Sequence, residues 1–161
     1  MSLRNSVFLF AVAILSTQAL AAPPAVVEIT GPTGSRKLSA DQIAAMPRSK
    51  VTISDHGVEA TFEGPTIASL LALVGAPAGE KIRGELLTNY VLVEAADSYR
   101  ALFTLTELDA AFTDRVVILA DQRDGKALPE KEGPFRVIVQ SEKRQARCVR
   151  QVARISIGEI K

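Results

Sequence analysis

Near the C-terminal end of the chain, two β-branched runs, residues 135–139 and 149–157, flank a turn that carries Lys143, Arg144, Arg147 and Arg150. Runs this short, rich in Val and Ile and opened by Gly133 and Pro134, read as strands and not as helices. The two are read as a pair, and their connection gathers cations at one end of a sheet. Arg136 interrupts the first run, and a guanidinium on an apolar strand needs an anion, a carboxylate or water for its head. Spacing alone favours a solvated basic turn that keeps the chain soluble. The sharper reading is an anion site.

A chain of 161 residues, 47% hydrophobic, is long enough to bury one core and too short for a second domain. Its net charge of +1 gives no general pull toward nucleic acid, so the local Lys/Arg cluster matters more than the total. Cys148 is the only cysteine and His56 the only histidine, which excludes an internal disulfide, a Cys-rich metal cluster and a His-based metal site.

At the N-terminus Arg4 precedes an apolar run, residues 7–15, and Ala19-Leu20-Ala21 supplies the small-x-small pattern of a signal-peptidase site. The run is shorter than the roughly 20 residues of a membrane span. Residues 1–21 are therefore expected to be a cleaved secretory signal and residues 22–161 a single domain, periplasmic in a Gram-negative host.

Along the expected mature chain, residues 26–29 read as a first strand. Ser39 and Gln42 form a capping box for a short helix over residues 43–46, ended by Pro47. Residues 50–54 and 58–62 form a hairpin around Asp55-His56-Gly57, which is read as a turn and not as a catalytic pair. Ile67, Leu70, Leu71 and Val74 make the stripe of an amphipathic helix that covers a sheet face. Strands follow at 90–94, 101–103 and 116–120, with a second capping box at Thr104 and Glu107 and a turn at Asp124-Gly125. Many short strands with three modest helices predict an α+β, mostly β domain of mixed sheets. Phe112 is expected in the core, and Asp121 with Arg123 as a solvated loop pair of little consequence.

The succession FEGPTIASLLALVGA, YVLVEAADSYRALFTLTELD, VVILADQRDGKALPEKEGPFRVIV and KRQARCVRQVARI resembles the oxidoreductase molybdopterin-binding domain, the fold of sulfite oxidases and periplasmic methionine sulfoxide reductases. The resemblance runs from about residue 26 to 157 and implies a sulfite oxidase-like fold. It also implies that the Gly-Pro-x-Arg segment and the closing basic segment hold a pterin and its phosphate, which places Arg136, Arg147, Cys148, Val149 and Arg150 at a pterin pocket. Family enzymes bind molybdenum through a cysteine ahead of the Phe-Glu-Gly segment. Here that region reads VTISDHGVEATFEG, without cysteine, and Cys148 lies elsewhere. Neither Asp55 nor His56 replaces a soft thiolate.

The resemblance thus implies a pterin, molybdopterin included, with no metal expected. Its leading functional implication is a periplasmic pterin-binding sensor that signals to a membrane partner, such as an enzyme making and degrading cyclic-di-GMP, and not an enzyme itself. The alternatives are a small molybdopterin-dependent oxidoreductase and a non-binding accessory module. A pterin offers a flat π-face and an amide-guanidine edge. Tyr99 and Arg100 are candidates for stacking and Asp97 for the edge. The equal alternative is a polar hairpin turn at Asp97-Ser98 with Tyr99 packed on the sheet.

Overall fold

The computed structural model describes residues 25–160. The expected secretory signal lies outside the described residues.

Strand β1 (Val26–Gly31) turns back into β2 (Gly34–Ser39), and the pair forms one side of a five-stranded sheet. Its order is β2-β1-β11-β5-β6, with β5 at Tyr90–Ala95, β6 at Arg100–Thr104 and β11 at Val152–Gly158. β11 runs parallel to β1 and antiparallel to β5. A four-stranded sheet holds β3 (Ser49–Asp55), β4 (Val58–Gly64), β8 (Gln122–Arg123) and β9 (Lys126–Ala127) in that order. Between them lies the antiparallel ribbon of β7 (Val117–Ala120) and β10 (Arg136–Val139).

Every residue of β7 and β10 is buried, so this ribbon is a middle layer with two covered faces. Side chains alternate along a strand. Val117, Leu119, Val137 and Val139 join the main core under the five-stranded sheet, while Ile118, Ala120 and Ile138 meet Val51, Ala60 and Phe62 of the four-stranded sheet. Arg136 has the parity of Ile138 and so points toward Phe62 and the β3–β4 hairpin. A continuous apolar run is the expected signature of a doubly covered strand.

Helix α1 (Ala40–Ala44) carries the expected capping box, Ser39 Oγ accepting from the Gln42 N–H and Gln42 Oε1 from the Ser39 N–H. Helix α2 (Ile67–Ala72) is capped by Thr66 and buries Ile67, Leu70 and Leu71 against the main core. Gly64 lets β4 cross β7 closely: a Cβ there would lie 2.0 Å from the Leu119 carbonyl oxygen. The Thr104–Glu107 box is also present, around a 3-10 turn at Thr106–Leu108.

The α+β, mostly β architecture holds as expected, but particular expectations need correction. The last two strands are not partners: β10 pairs with β7 and β11 sits between β1 and β5. Residues 140–151 carry the chain from the middle layer to the five-stranded sheet, and β11 begins at Val152, after Gln151 at φ 49. Strand β2 went unread because GSRKLS has no alternating apolar pattern, as suits an edge strand. Phe112 is 47% exposed and outside the core. Asp121 and Arg123 are not a loop pair: Asp121 takes two hydrogen bonds from Arg48, and Arg123 turns inward to Asp55.

Candidate functional site

Two turns and one irregular segment enclose a cleft of about 540 Å³. The β3–β4 turn contributes His56, the β5–β6 turn Asp97 and Tyr99, and the segment between β10 and β11 contributes Gln145, Ala146, Cys148, Val149, Arg150 and Gln151, with Lys131 and Arg136 completing the wall.

Each turn is built by local chemistry. Asp55 pairs with Val58, leaving His56 and Gly57 as a two-residue loop at φ 51 and 85, a hairpin turn that needs positive φ at both positions. Asp97 Oδ1 accepts the Tyr99 N–H at 2.9 Å, and Ser98 adopts φ 71. The Tyr99 hydroxyl donates to the Ala146 carbonyl at 2.6 Å, tying this turn to the 3-10 turn Gln145–Arg147. Its ring stays half exposed.

Behind the cleft lies a buried ion-pair hub. Arg136, 1% exposed, donates to Asp55 Oδ1 at 3.0 Å and Oδ2 at 3.2 Å, to Glu132 Oε2 at 2.7 Å and to Gln145 Oε1 at 3.2 Å. Arg123 donates to Asp55 Oδ2 at 2.9 Å and lies 3.5 Å from Glu132 Oε1. Both guanidinium groups lie over the Phe62 ring, at 5.1 Å for Arg136 and 5.6 Å for Arg123. Two cations and two carboxylates balance within one apolar enclosure. Among the described residues, Arg136 Nε is a buried side-chain nitrogen without a partner. Gln145 Nε2 donates to the Ser54 carbonyl, so one side chain links the hub, the hairpin and the cleft wall.

The hydrogen bond from Arg136 holds the Asp55 carboxyl below the usual carboxylate range, against the opposing effect of burial, with the fields of Arg136 and Arg123 adding to it. Burial works against the charge of Arg136, but Asp55 and Glu132 outweigh it and raise its pKa. A depressed carboxylate contributes stability that is full above its unfolded pKa, about 3.9, and is lost as pH falls through the lower folded value. Acidification below about pH 4 is therefore expected to unfold the wild type more steeply than Asp55→Asn, which has no proton to take up there. Chemical denaturation from pH 7 to pH 3 measures the two slopes, and equal slopes would contradict the role of Asp55.

Of the residues expected at the site, Asp97, Tyr99, Arg136, Cys148, Val149 and Arg150 line this one cleft. Two expected residues point elsewhere. Arg100 follows Tyr99 and projects from the opposite face of β6, where its Nε lies 3.0 Å from Glu94. Arg147 turns away from the cleft: it contacts Glu107 at 3.0 and 3.2 Å and Glu142 at 2.8 Å, and its guanidinium lies 4.7 Å from the Phe103 ring centre. Burial opposes its charge, but the hydrogen bonds it donates to those carboxylates prevail and raise its pKa. The expected basic cluster is thus divided, with Arg136 and Arg147 neutralised by carboxylates. Arg150 remains at the cleft, its Nη2 2.9 Å from His56 Nε2.

Sequence reading missed His56, Lys131, Gln145 and Gln151 as cleft residues. Asp55-His56-Gly57 is the expected hairpin turn, and that same turn also forms a cleft wall. Nothing in the local sequence marks Gln145, whose role depends on contacts 91 residues away.

A mixed-sheet α+β fold with a cleft between hairpin turns and a basic, arginine-bearing segment defines the class of protein to which the chain's relatives also point. Residues 25–160 match the family described as oxidoreductase molybdopterin binding domain, and the chain belongs to it. Among solved structures it is similar to the sulfane dehydrogenase SoxCD from Paracoccus pantotrophus, with a TM-score of 0.61 and 18% identity. That similarity covers 82% of this chain and 37% of the other. No curated protein matches the sequence.

The residues present fit the pterin part of the family's cofactor. The cleft lies within the roughly 300–1,000 Å³ of small-molecule sites, and it offers an aromatic face, a carboxylate and cationic donors. They do not fit a molybdenum held by a thiolate ahead of Phe62-Glu63-Gly64. Asp55 occupies that hairpin, and both its oxygens already accept from arginines. The Cys148 thiol is on the wall, but in the segment between β10 and β11 and not in that hairpin, and burial pushes its pKa up, against the Val139 backbone hydrogen bond and the field of Arg136.

Proposed function

We propose that this chain binds a pterin in the cleft and works as an exported sensing module that passes the bound state to a membrane signalling partner, without molybdenum redox chemistry. The observation that carries the reading is the hub itself. Where family enzymes are expected to offer a free soft ligand, this chain has a hard carboxylate closed by two arginines, and a metal would have to displace them. The remaining lining suits recognition. Tyr99 offers a fixed ring for a π-face, Asp97 keeps one carboxylate oxygen outside the Tyr99 contact, and Arg150 presents donors at the mouth.

The second reading, a molybdopterin-dependent oxidoreductase, draws support from Cys148 on the same wall. One experiment separates the two. Chain purified from a host that makes molybdopterin is expected to hold far less than one molybdenum per chain by elemental mass spectrometry, while mass analysis of released small molecules finds a pterin. Near-stoichiometric molybdenum, lost in Cys148→Ser, would reverse the ranking.

A further inference from the structure

Across the mouth of the cleft, one contact joins elements from two different sheets. His56 stands on the β3–β4 turn of the four-stranded sheet, and Arg150 closes the segment that leads into β11 of the five-stranded sheet. Arg150 Nη2 and His56 Nε2 lie 2.9 Å apart. A guanidinium has donors and no acceptor and stays protonated in proteins. The imidazole must therefore accept through Nε2, which makes His56 neutral with its proton on Nδ1.

We infer that His56 is a positioning residue for ligand binding: in its neutral form it holds Arg150 over the cleft, ready to donate to the carbonyl edge of an uncharged pterin. The inference rests on the proposed pterin site and adds a residue to it. Arg150 is exposed, and a long exposed arginine loses rotamer freedom when a ligand fixes it. A partner that holds it beforehand lowers that cost. His56 is suited to this task because its backbone, at φ 51, is fixed by the tight turn, while Asp55 beside it is locked into the hub.

The charged groups around His56 are Asp55 on its own hairpin, Arg136 and Arg123 bonded to Asp55, Arg150 opposite, and Lys131 and Asp97 on the remaining cleft walls. Both oxygens of Asp55 already accept from arginines, which leaves His56 Nε2 as the acceptor that this turn offers to Arg150.

The test uses biopterin, whose side chain is uncharged, titrated by calorimetry at pH 7 into wild type, His56→Ala and His56→Gln. Thermal unfolding confirms that each variant is folded. His56→Ala is expected to bind about threefold to tenfold more weakly than wild type, the scale of one hydrogen bond. His56→Gln, which keeps an acceptor, is expected to recover most of the affinity. Nitrogen NMR of the single histidine gives a reading without ligand: the Nδ1–H tautomer in wild type, and loss of that preference in Arg150→Gln. Equal binding by wild type and His56→Ala, or an Nε2–H tautomer, would overturn this inference alone. Absence of biopterin binding to wild type would overturn the pterin reading and this inference together.

Discussion

Replacing Arg136 with Ala is expected to lower the stability of the domain by about 3–5 kcal/mol, the cost of breaking a buried pair from one side. The side chains of Arg136 and Asp55 are 1% and 2% exposed, and that of Glu132 14%, so the two carboxylates cannot recover their hydration when the guanidinium goes. Arg123 is left alone to neutralise both. For a domain of this length the loss corresponds to a fall in Tm on the order of 10–20 °C. Arg136→Lys is expected to fail as well, since one ammonium cannot reproduce the paired bonds to Asp55 and the bond to Glu132. Thermal unfolding by circular dichroism measures the effect. A variant as stable as wild type would mean the hub is open to water and contributes little. The resemblance places Arg136 at a pterin pocket, and its burial makes it a residue on which the fold depends.

Arg150→Ala is expected to show the opposite combination, an unchanged Tm with pterin affinity weaker by roughly tenfold to a hundredfold, the scale of a charge-assisted hydrogen bond. Arg150 is exposed and bonded to His56 with no buried carboxylate depending on it. Lys143→Ala and Arg144→Ala, on the exposed turn ahead of Gln145, are expected to leave affinity near the wild-type value. Calorimetry on the three variants separates the cleft residue from the rim. Equal affinity in all of them would return the basic segment to a solvated turn.

What the sequence reveals here follows the reach of each interaction. Local periodicity and capping are legible: the Ser39 and Thr104 boxes, the Ile67 to Leu71 stripe and the His56-Gly57 and Asp124-Gly125 turns all appear where residue chemistry places them. Strand pairing is set at long range, and β10 and β11, neighbours in sequence, sit in different layers. The same limit applies to the site. Six of the eight expected residues share the cleft, because their segment and turn are continuous in sequence. Arg100 and Arg147 do not, since a one-residue step along an extended or tightly turned backbone reverses the direction of a side chain. The partner that decides the character of Arg136 is Asp55, 81 residues earlier, and no local pattern connects them.

Titration of biopterin into metal-free wild-type chain at pH 8 bears most directly on the whole account. One binding site per chain, unaffected by chelator and competed by other pterins, is the result expected if the cleft between His56, Tyr99 and Arg150 recognises the pterin without molybdenum. No heat of binding to the metal-free chain, with binding restored only when the ligand carries molybdenum, would contradict it.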